Sequence, residues 1–250
     1  MSDIIYGINP VTETLKARAS QVKKVIFAKE KDPRGVKELI ALARRQKVPI
    51  EFEQKRVLNQ VSGLKNHQGV LAIVSPHKEV DLGRIIDVWK SSGEKLLALI
   101  LDGIQDPQNL GALIRTACGC GVHGVITLKD RAAPITGAAF KASAGAIEYT
   151  NIARVTNIAA AIDSLKQEGA WIVGTSADSK TSLYELDGSL DLALVVGGEG
   201  KGVRPLVRKK CDFLVNIPLR GEIPSLNASV SGAVALYEIV RQRYYQKKRD

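Results

Sequence analysis

The sequence predicts an α/β protein: a small N-terminal α/β domain, then a larger domain built on a largely parallel sheet. Three observations carry this. Apolar runs of strand length alternate with stretches of helical spacing along the 250 residues. The run at residues 96–104, LLALILDGI, is almost continuously apolar, as a strand covered on both faces requires. The charged stretch PHKEVDLGRIIDVWKSSGEK ends near Ser-Ser-Gly and interrupts the alternation, so it reads as a connector.

The elements follow in order. Residues 9–17 read as a helix with Pro10 in its first turn. VKKVIFAK is a strand. PRGVKELIALARRQK places Val36, Leu39, Ile40 and Ala43 at helical spacing. VPIEF is a second strand, VLNQVSG a short helix and GVLAIVS a third strand. The connector holds one short helix over residues 81–89. After LLALILDGI come the strands GVITL, AWIVGTSA, LALVVGG and FLVNIPL, separated by helical stretches. The expected division is therefore a domain at 1–78, a linker at 79–95 and a second domain at 96–250. Ligands of such parallel sheets bind beyond the carboxyl ends of the strands, which directs attention to the loops there.

Composition narrows the partners. The net charge of +10 points to a polyanion, usually nucleic acid, although surplus lysine also serves solubility. The dense tail RQRYYQKKRD fits either account. No apolar run approaches the ~18 residues of a membrane span, and MSDIIYGINP has no signal-peptide pattern; the expectation is a cytoplasmic protein without membrane contact. Cys118, Cys120 and Cys211 are too few for a disulfide framework and lack structural-zinc spacing, so reduced packing thiols and no metal are expected.

Three loops are candidates for chemistry. In DGIQDPQNLGALIRTA, Asp106 fits a helix N-cap and Pro107 the first helical position. Leu110, Leu113, Ile114 and Ala117 form the buried stripe. Arg115 lies about 140° around the helix from Leu110, so it faces the mouth of a site or simply solvent. Asn109 sits in the first turn, where it either serves a site or satisfies free backbone groups. In VVGGEGKG, four glycines in six positions follow an apolar strand, which suggests close backbone approach to a ligand. Val203 stands where a phosphate-binding loop needs Lys, and Glu199 would repel a bare phosphate. A hydroxyl-rich or cationic ligand fits better; a tight turn with an incidental acid is the simpler account. In IPLRGEIPSLNASVSGAVALYEIV, Ser225, Leu226 and Asn227 open a helix of small residues, either a ligand wall or a closely packed helix with an ordinary N-cap.

Together, in this order, the three loops resemble the three motifs of the SpoU (TrmH-like) branch of the SPOUT RNA methyltransferases. The matching residues are Asn109 and Arg115 in the first loop, Glu199 in the second, and Ser225, Leu226 and Asn227 in the third. YGINPVTETL and HQGVLAIV resemble the small substrate-binding domain of these enzymes, so the resemblance covers nearly the whole chain. Within the family, the sequence is most similar to the subgroup that methylates a guanosine ribose in large-subunit (23S) ribosomal RNA.

The resemblance implies 2′-O-methylation of an RNA ribose, with S-adenosylmethionine (AdoMet) as donor, and no metal. It implies a homodimer whose subunits share each active site. It also implies a deep trefoil knot in the C-terminal part, which the general rarity of knots would have excluded. The catalytic set is then Arg115, Asn109, Glu199, Ser225 and Asn227. AdoMet would be held by Thr175, Gly197, Gly198, Ile217 and Leu226, largely through backbone atoms. Arg115 takes the role of base by resemblance, which is chemically awkward because arginine is effectively always protonated. It either loses a proton in a special site or stays charged and positions the substrate phosphate. RNA recognition is expected on residues 1–78 and on a basic face, through phosphate contacts rather than stacking. A tRNA ribose, a resistance-linked ribosomal site, and a non-catalytic RNA-binding role in ribosome assembly are the competing readings.

Overall fold

The computed structural model describes residues 2–63, 66–200 and 202–245. The N-terminal elements are β1 (Asp3–Tyr6), α1 (Ile8–Arg18), β2 (Val22–Ala28), α2 (Lys37–Arg45), β3 (Ile50–Glu53), α3 (Lys55–Ser62) and β4 (Val70–Val74). Then come α4 (Leu82–Ser92), β5 (Leu97–Asp102), α5 (Pro107–Gly119), β6 (Gly124–Leu128), α6 (Gly137–Ala142) and β7 (Ile152–Val155). The chain continues through α7 (Ile158–Gln167), β8 (Trp171–Thr175), β9 (Leu192–Gly197), α8 (Pro205–Lys210), β10 (Phe213–Val215) and α9 (Ala228–Val240). The last five residues of the basic tail, and Lys201 in the glycine loop, lie outside the described residues.

The chain divides into two compact units. The first is Met1–Lys78 with Pro134–Tyr149. Its sheet has the order β1-β4-β2-β3, with β4 antiparallel to both β1 and β2, and β2 parallel to β3. Tyr6, Ile26, Ala28, Leu58 and Leu71 form a core cluster in it. The YGINP and HQGV stretches meet here. Gln68 Oε1 accepts from Ile8 N–H at 3.0 Å, capping α1 from a distance, and Gly7 N–H donates to the Val70 carbonyl at 3.1 Å. His67 is fully buried; its Nδ1 accepts from Gly69 N–H at 3.0 Å, and its Nε2 lies 2.8 Å from Asn59 Oδ1.

Two features of this division differ from the reading of the sequence. Pro134–Tyr149 belongs to the first unit by contact, although it follows β6 in the chain. Glu148 explains the docking: its carboxylate, with the side chain 2% exposed, accepts from Thr14 Oγ1 at 2.8 Å and Arg18 Nε at 2.7 Å. The stretch 79–95 holds the expected helix, but it belongs to the second unit rather than linking two domains. Ile85 and Trp89 of α4 are buried in the core of the second unit, and Val80 bridges to Ala153 beside β7.

The second unit, Glu79–Ala133 with Thr150–Asp250, has a six-stranded sheet of order β10-β8-β9-β5-β6-β7, parallel throughout. Every residue of β5 is buried, as its sequence predicted. Alternation along the strands separates two helical layers. Ala98, Ile100, Ala193 and Val195 pack in one cluster with Ile85 of α4, Ile162 of α7 and Val207 of α8. On the opposite face α9 packs against α5 and β9. That packing accounts for the small residues of α9. A Cβ on Gly232 would lie 2.4 Å from Leu113 Cδ2 and 3.3 Å from Val196 Cγ2, so a larger residue would force the helices apart. Strand order reverses beside β5: the chain steps from β5 to β6 and β7, then returns to β8 and β9 on the other side. Such a reversal opens a crevice at the carboxyl ends of the strands.

Candidate active site

β5 ends in Asp102, a buried carboxylate that sequence reasoning passed over. Its Oδ2 accepts from Arg204 N–H at 2.8 Å and its Oδ1 from Arg204 Nε at 2.7 Å. This clamp fixes both ends of the glycine loop, because Gly198 N–H also donates to the Asp102 carbonyl at 3.0 Å. The available signal was an acid directly after an apolar strand, LILD.

Asp106 caps α5 as expected, accepting from Gln108 N–H at 3.0 Å, with Pro107 in the first turn. The cap aims the first turn of α5 toward the glycine loop. Asn109 is buried there and its Nδ2 donates to Glu199 Oε1. Two of the predicted residues, 90 positions apart, are thus brought together. Gly197 and Gly198 line the cavity and also serve a close approach within the chain itself. A Cβ on Gly197 would lie 2.1 Å from Gly202 C and 2.2 Å from Val203 N; one on Gly198 would lie 2.4 Å from the Gly103 carbonyl oxygen. The close approach is therefore of backbone to backbone, and it folds the loop back through a Gly198–Gly202 bridge.

The third loop lies alongside. Ser176 N–H donates to the Val215 carbonyl at 2.9 Å, and Asn216 N–H to the Thr181 carbonyl at 2.9 Å. The expectation that Ser225 opens the last helix is corrected: Asn227 is its N-cap. Asn227 Oδ1 accepts from Ser229 N–H at 2.9 Å and Ser229 Oγ at 2.6 Å. Committed to the cap, Asn227 does not line the cavity, whereas Ser225 does.

Between these loops lies a cavity of about 980 Å³. Thr175, Gly197, Gly198, Ile217 and Leu226, the five residues expected around AdoMet, all line it, and so does Glu199. Its apolar wall includes Val196 and Val215. Its charged groups among the described residues are Asp178, Glu199, Glu222 and Arg208, and Arg208 is paired with Asp178 at 3.0 Å. An acidic excess beside apolar residues and small polar ones such as Ser176 and Ser225 suits a cationic ligand with a flat apolar part. Arg115 is elsewhere: it is exposed on α5, lines neither this cavity nor its neighbour, and makes no hydrogen bond or ion pair among the described residues. Burial pushes the thiols of Cys120 and Cys211 up to about 11, which leaves them protonated and unreactive. Among the described residues, no group of three or more His, Cys, Asp or Glu is placed to hold a metal ion, and no helix is long and apolar enough to cross a membrane.

A parallel sheet whose glycine loop and C-terminal loop wall a cavity at the strand ends, in a chain with a small N-terminal α/β unit, fits the class of SpoU-type methyltransferases. Comparison with known proteins agrees. Residues 96–237 match the SpoU rRNA Methylase family, and residues 4–80 match the RNA 2′-O ribose methyltransferase substrate binding family. The chain is 40% identical over 243 residues to the putative TrmH family tRNA/rRNA methyltransferase YacO of Bacillus subtilis, covering 96% of each chain. It is 39% identical to the 23S rRNA (guanosine-2′-O-)-methyltransferase RlmB of Escherichia coli K12, covering 97% of this chain and 100% of that one. The SpoU methyltransferase AviRb of Streptomyces viridochromogenes, solved in complex with the cofactor AdoMet, shares the fold with a TM-score of 0.78 at 24% identity, over 97% of this chain and 90% of that one. The chain belongs to the SpoU methyltransferase family.

Proposed function

We propose that the protein transfers the methyl group of AdoMet to the 2′-oxygen of a guanosine ribose in 23S ribosomal RNA. The observation that carries this is the acidic cavity of about 980 Å³ lined by Glu199, which accepts a hydrogen bond from Asn109. The family and the guanosine-2′-O-methyltransferase relative, matched over its full length, support the substrate. AdoMet would fit the cavity: Asp178 and Glu222 line it for its cationic centres, and Val196, Val215, Ile217 and Leu226 for its adenine. Bound there, it supplies an electrophilic methyl group on a sulfonium. Thr175, Gly197, Gly198, Ile217 and Leu226, which line the cavity, would hold it, largely through main-chain groups.

A ribose hydroxyl must lose its proton as the new carbon–oxygen bond forms. Asn109 holds Glu199 Oε1, and Glu199 Oε2 would take the 2′-hydroxyl proton as the carbon–oxygen bond forms. Arg115 stays protonated and opposes the negative charge that develops on the 2′-oxygen and its neighbouring phosphate. Because Arg115 lies outside the cavity of its own chain, we assign it to the site of a second copy in a homodimer. Val230 and Tyr237 of α9, 46% and 56% exposed, give that copy an apolar face to cover. Ser225 lines the donor cavity, and Asn227 acts through the backbone it caps. The N-terminal segment that matches the substrate-binding family takes the RNA. A ribosomal RNA substrate supports a cytoplasmic location.

We infer further that the C-terminal chain is knotted. The match to the SpoU rRNA Methylase family supports this, since the resemblance implies a threaded C-terminal segment. Stretching single molecules by the termini tests it: a knot keeps the unfolded contour length short of the fully extended chain.

Incubation with methyl-labelled AdoMet and separated RNA fractions tests the activity. Label is expected in large-subunit ribosomal RNA. Label in tRNA alone overturns the assigned substrate, and AdoMet binding without transfer to any RNA supports a non-catalytic binding role instead.

A further inference from the structure

A second cavity, of about 450 Å³, adjoins the first and shares Gly198, Glu199 and Gly202 with it. Its walls include Asp102, Gln105, Leu128, Arg131, Glu199 and Arg204. It lies beyond the carboxyl ends of β5, β6 and β9, at the crevice where the strand order reverses. Methyl transfer needs the acceptor oxygen to reach the donor methyl group directly, so the two must meet where the cavities adjoin, and Glu199 lines both.

The charged groups here are unequal. Arg204 is held by Asp102, Asp106 caps α5 and Glu199 accepts from Asn109. Arg131 is exposed and, among the described residues, makes no hydrogen bond or ion pair. Its backbone is fixed all the same. Lys129 N–H donates to the Val155 carbonyl at 2.9 Å, and Ala133 N–H donates to the Ile104 carbonyl at 2.8 Å. Between these two anchors Arg131 adopts φ +58°, a left-handed conformation unfavourable for a long side chain. A strained backbone held from both sides presents an uncommitted guanidinium to the cavity.

We propose that this second cavity receives the acceptor nucleotide and that Arg131 binds its phosphate. The inference rests on the reading of the protein as an RNA ribose methyltransferase. The planar fork of a guanidinium matches two phosphate oxygens, and Arg131, unlike Arg204, is held by no carboxylate among the described residues. Arg131 is thus a substrate-binding residue that positions the ribose against the donor cavity.

The test compares wild type with Arg131→Gly, which removes the side chain and suits the left-handed backbone, and with Arg131→Lys. Lys129→Ala, an exposed cation outside both cavities, is the control. The readouts are RNA binding against salt concentration, KM for RNA, and AdoMet affinity by calorimetry. Arg131→Gly is expected to weaken RNA binding about tenfold and to reduce the salt slope by about one. AdoMet affinity should stay within about twofold, and Arg131→Lys should fall between Arg131→Gly and wild type. Arg131→Gly with the RNA affinity, KM and salt slope of wild type overturns this inference alone. Wild-type protein that methylates no RNA overturns the functional reading beneath it.

Discussion

Gly197→Ala probes the glycine loop where the structure is least tolerant. The added Cβ would stand 2.1 Å from Gly202 C, 2.2 Å from Val203 N and 2.4 Å from the Gly202 oxygen, all backbone atoms. Ordinary carbon contacts need ~3.5 Å, so the Gly202–Val203 segment must retreat by roughly 1.4 Å. Arg204, the next residue, resists this because Asp102 holds its N–H and guanidinium. The bond from Gly202 N–H to the Gly198 carbonyl, at 3.0 Å, then breaks. A lost hydrogen bond contributes about 1 kcal/mol and residual strain about as much, giving a destabilisation of about 2 kcal/mol. The donor cavity loses its shape, so AdoMet affinity should fall at least about tenfold. Calorimetry with AdoMet and thermal unfolding read the two effects separately. A variant that keeps AdoMet affinity within about twofold and an unchanged Tm would refute the claim that these glycines exist for backbone-to-backbone approach.

Other perturbations separate the parts of the site. Arg115→Ala should lower kcat by about 10²–10³-fold with AdoMet affinity unchanged, measured by methyl transfer and calorimetry; a normal rate removes Arg115 from the chemistry. Asn109→Ala frees Glu199 and should reduce kcat about tenfold or more, less than Glu199→Gln does; the reverse order contradicts the assigned roles. Asp102→Ala strands the Arg204 N–H and guanidinium, costs about 2 kcal/mol, and should lower Tm by roughly 5 °C. His67 gives a pH dependence. Burial holds its pKa below the usual value, with Lys55 and Lys141 adding to the effect. The unfolded chain therefore takes up a proton near its ordinary pKa of ~6.5 while the folded unit does not. Stability should fall as pH drops below ~6.5 and level off beneath the folded pKa. Urea midpoints at two pH values should show a larger acid loss in wild type than in His67→Asn; equal losses would exclude His67 as the cause.

Much of this was legible because local physics and the final fold agree. The continuous apolar run of β5, the Asp106–Pro107 start of α5 and the helical stripe of Leu110, Leu113 and Ile114 each reflect their own surroundings. What stayed hidden depends on distant partners. β1 is a four-residue strand defined by pairing with β4, some 70 positions away. Pro134–Tyr149 joins the first unit through Glu148 and its contacts with Thr14 and Arg18, which no local pattern announces. Ser225 and Asn227 are both good cap residues, so composition did not decide between them; the backbone bonds at Ser229 do. The glycines of the second loop were read correctly as marking close approach, but one sequence does not say what approaches.

The central claim is the chemistry at a ribose 2′-oxygen of guanosine. Mass spectrometry of nucleosides from enzyme-treated large-subunit RNA tests it most directly. The account predicts 2′-O-methylguanosine at one position, dependent on AdoMet and absent with Glu199→Gln. A methyl group on a base, or on another nucleoside, would contradict it.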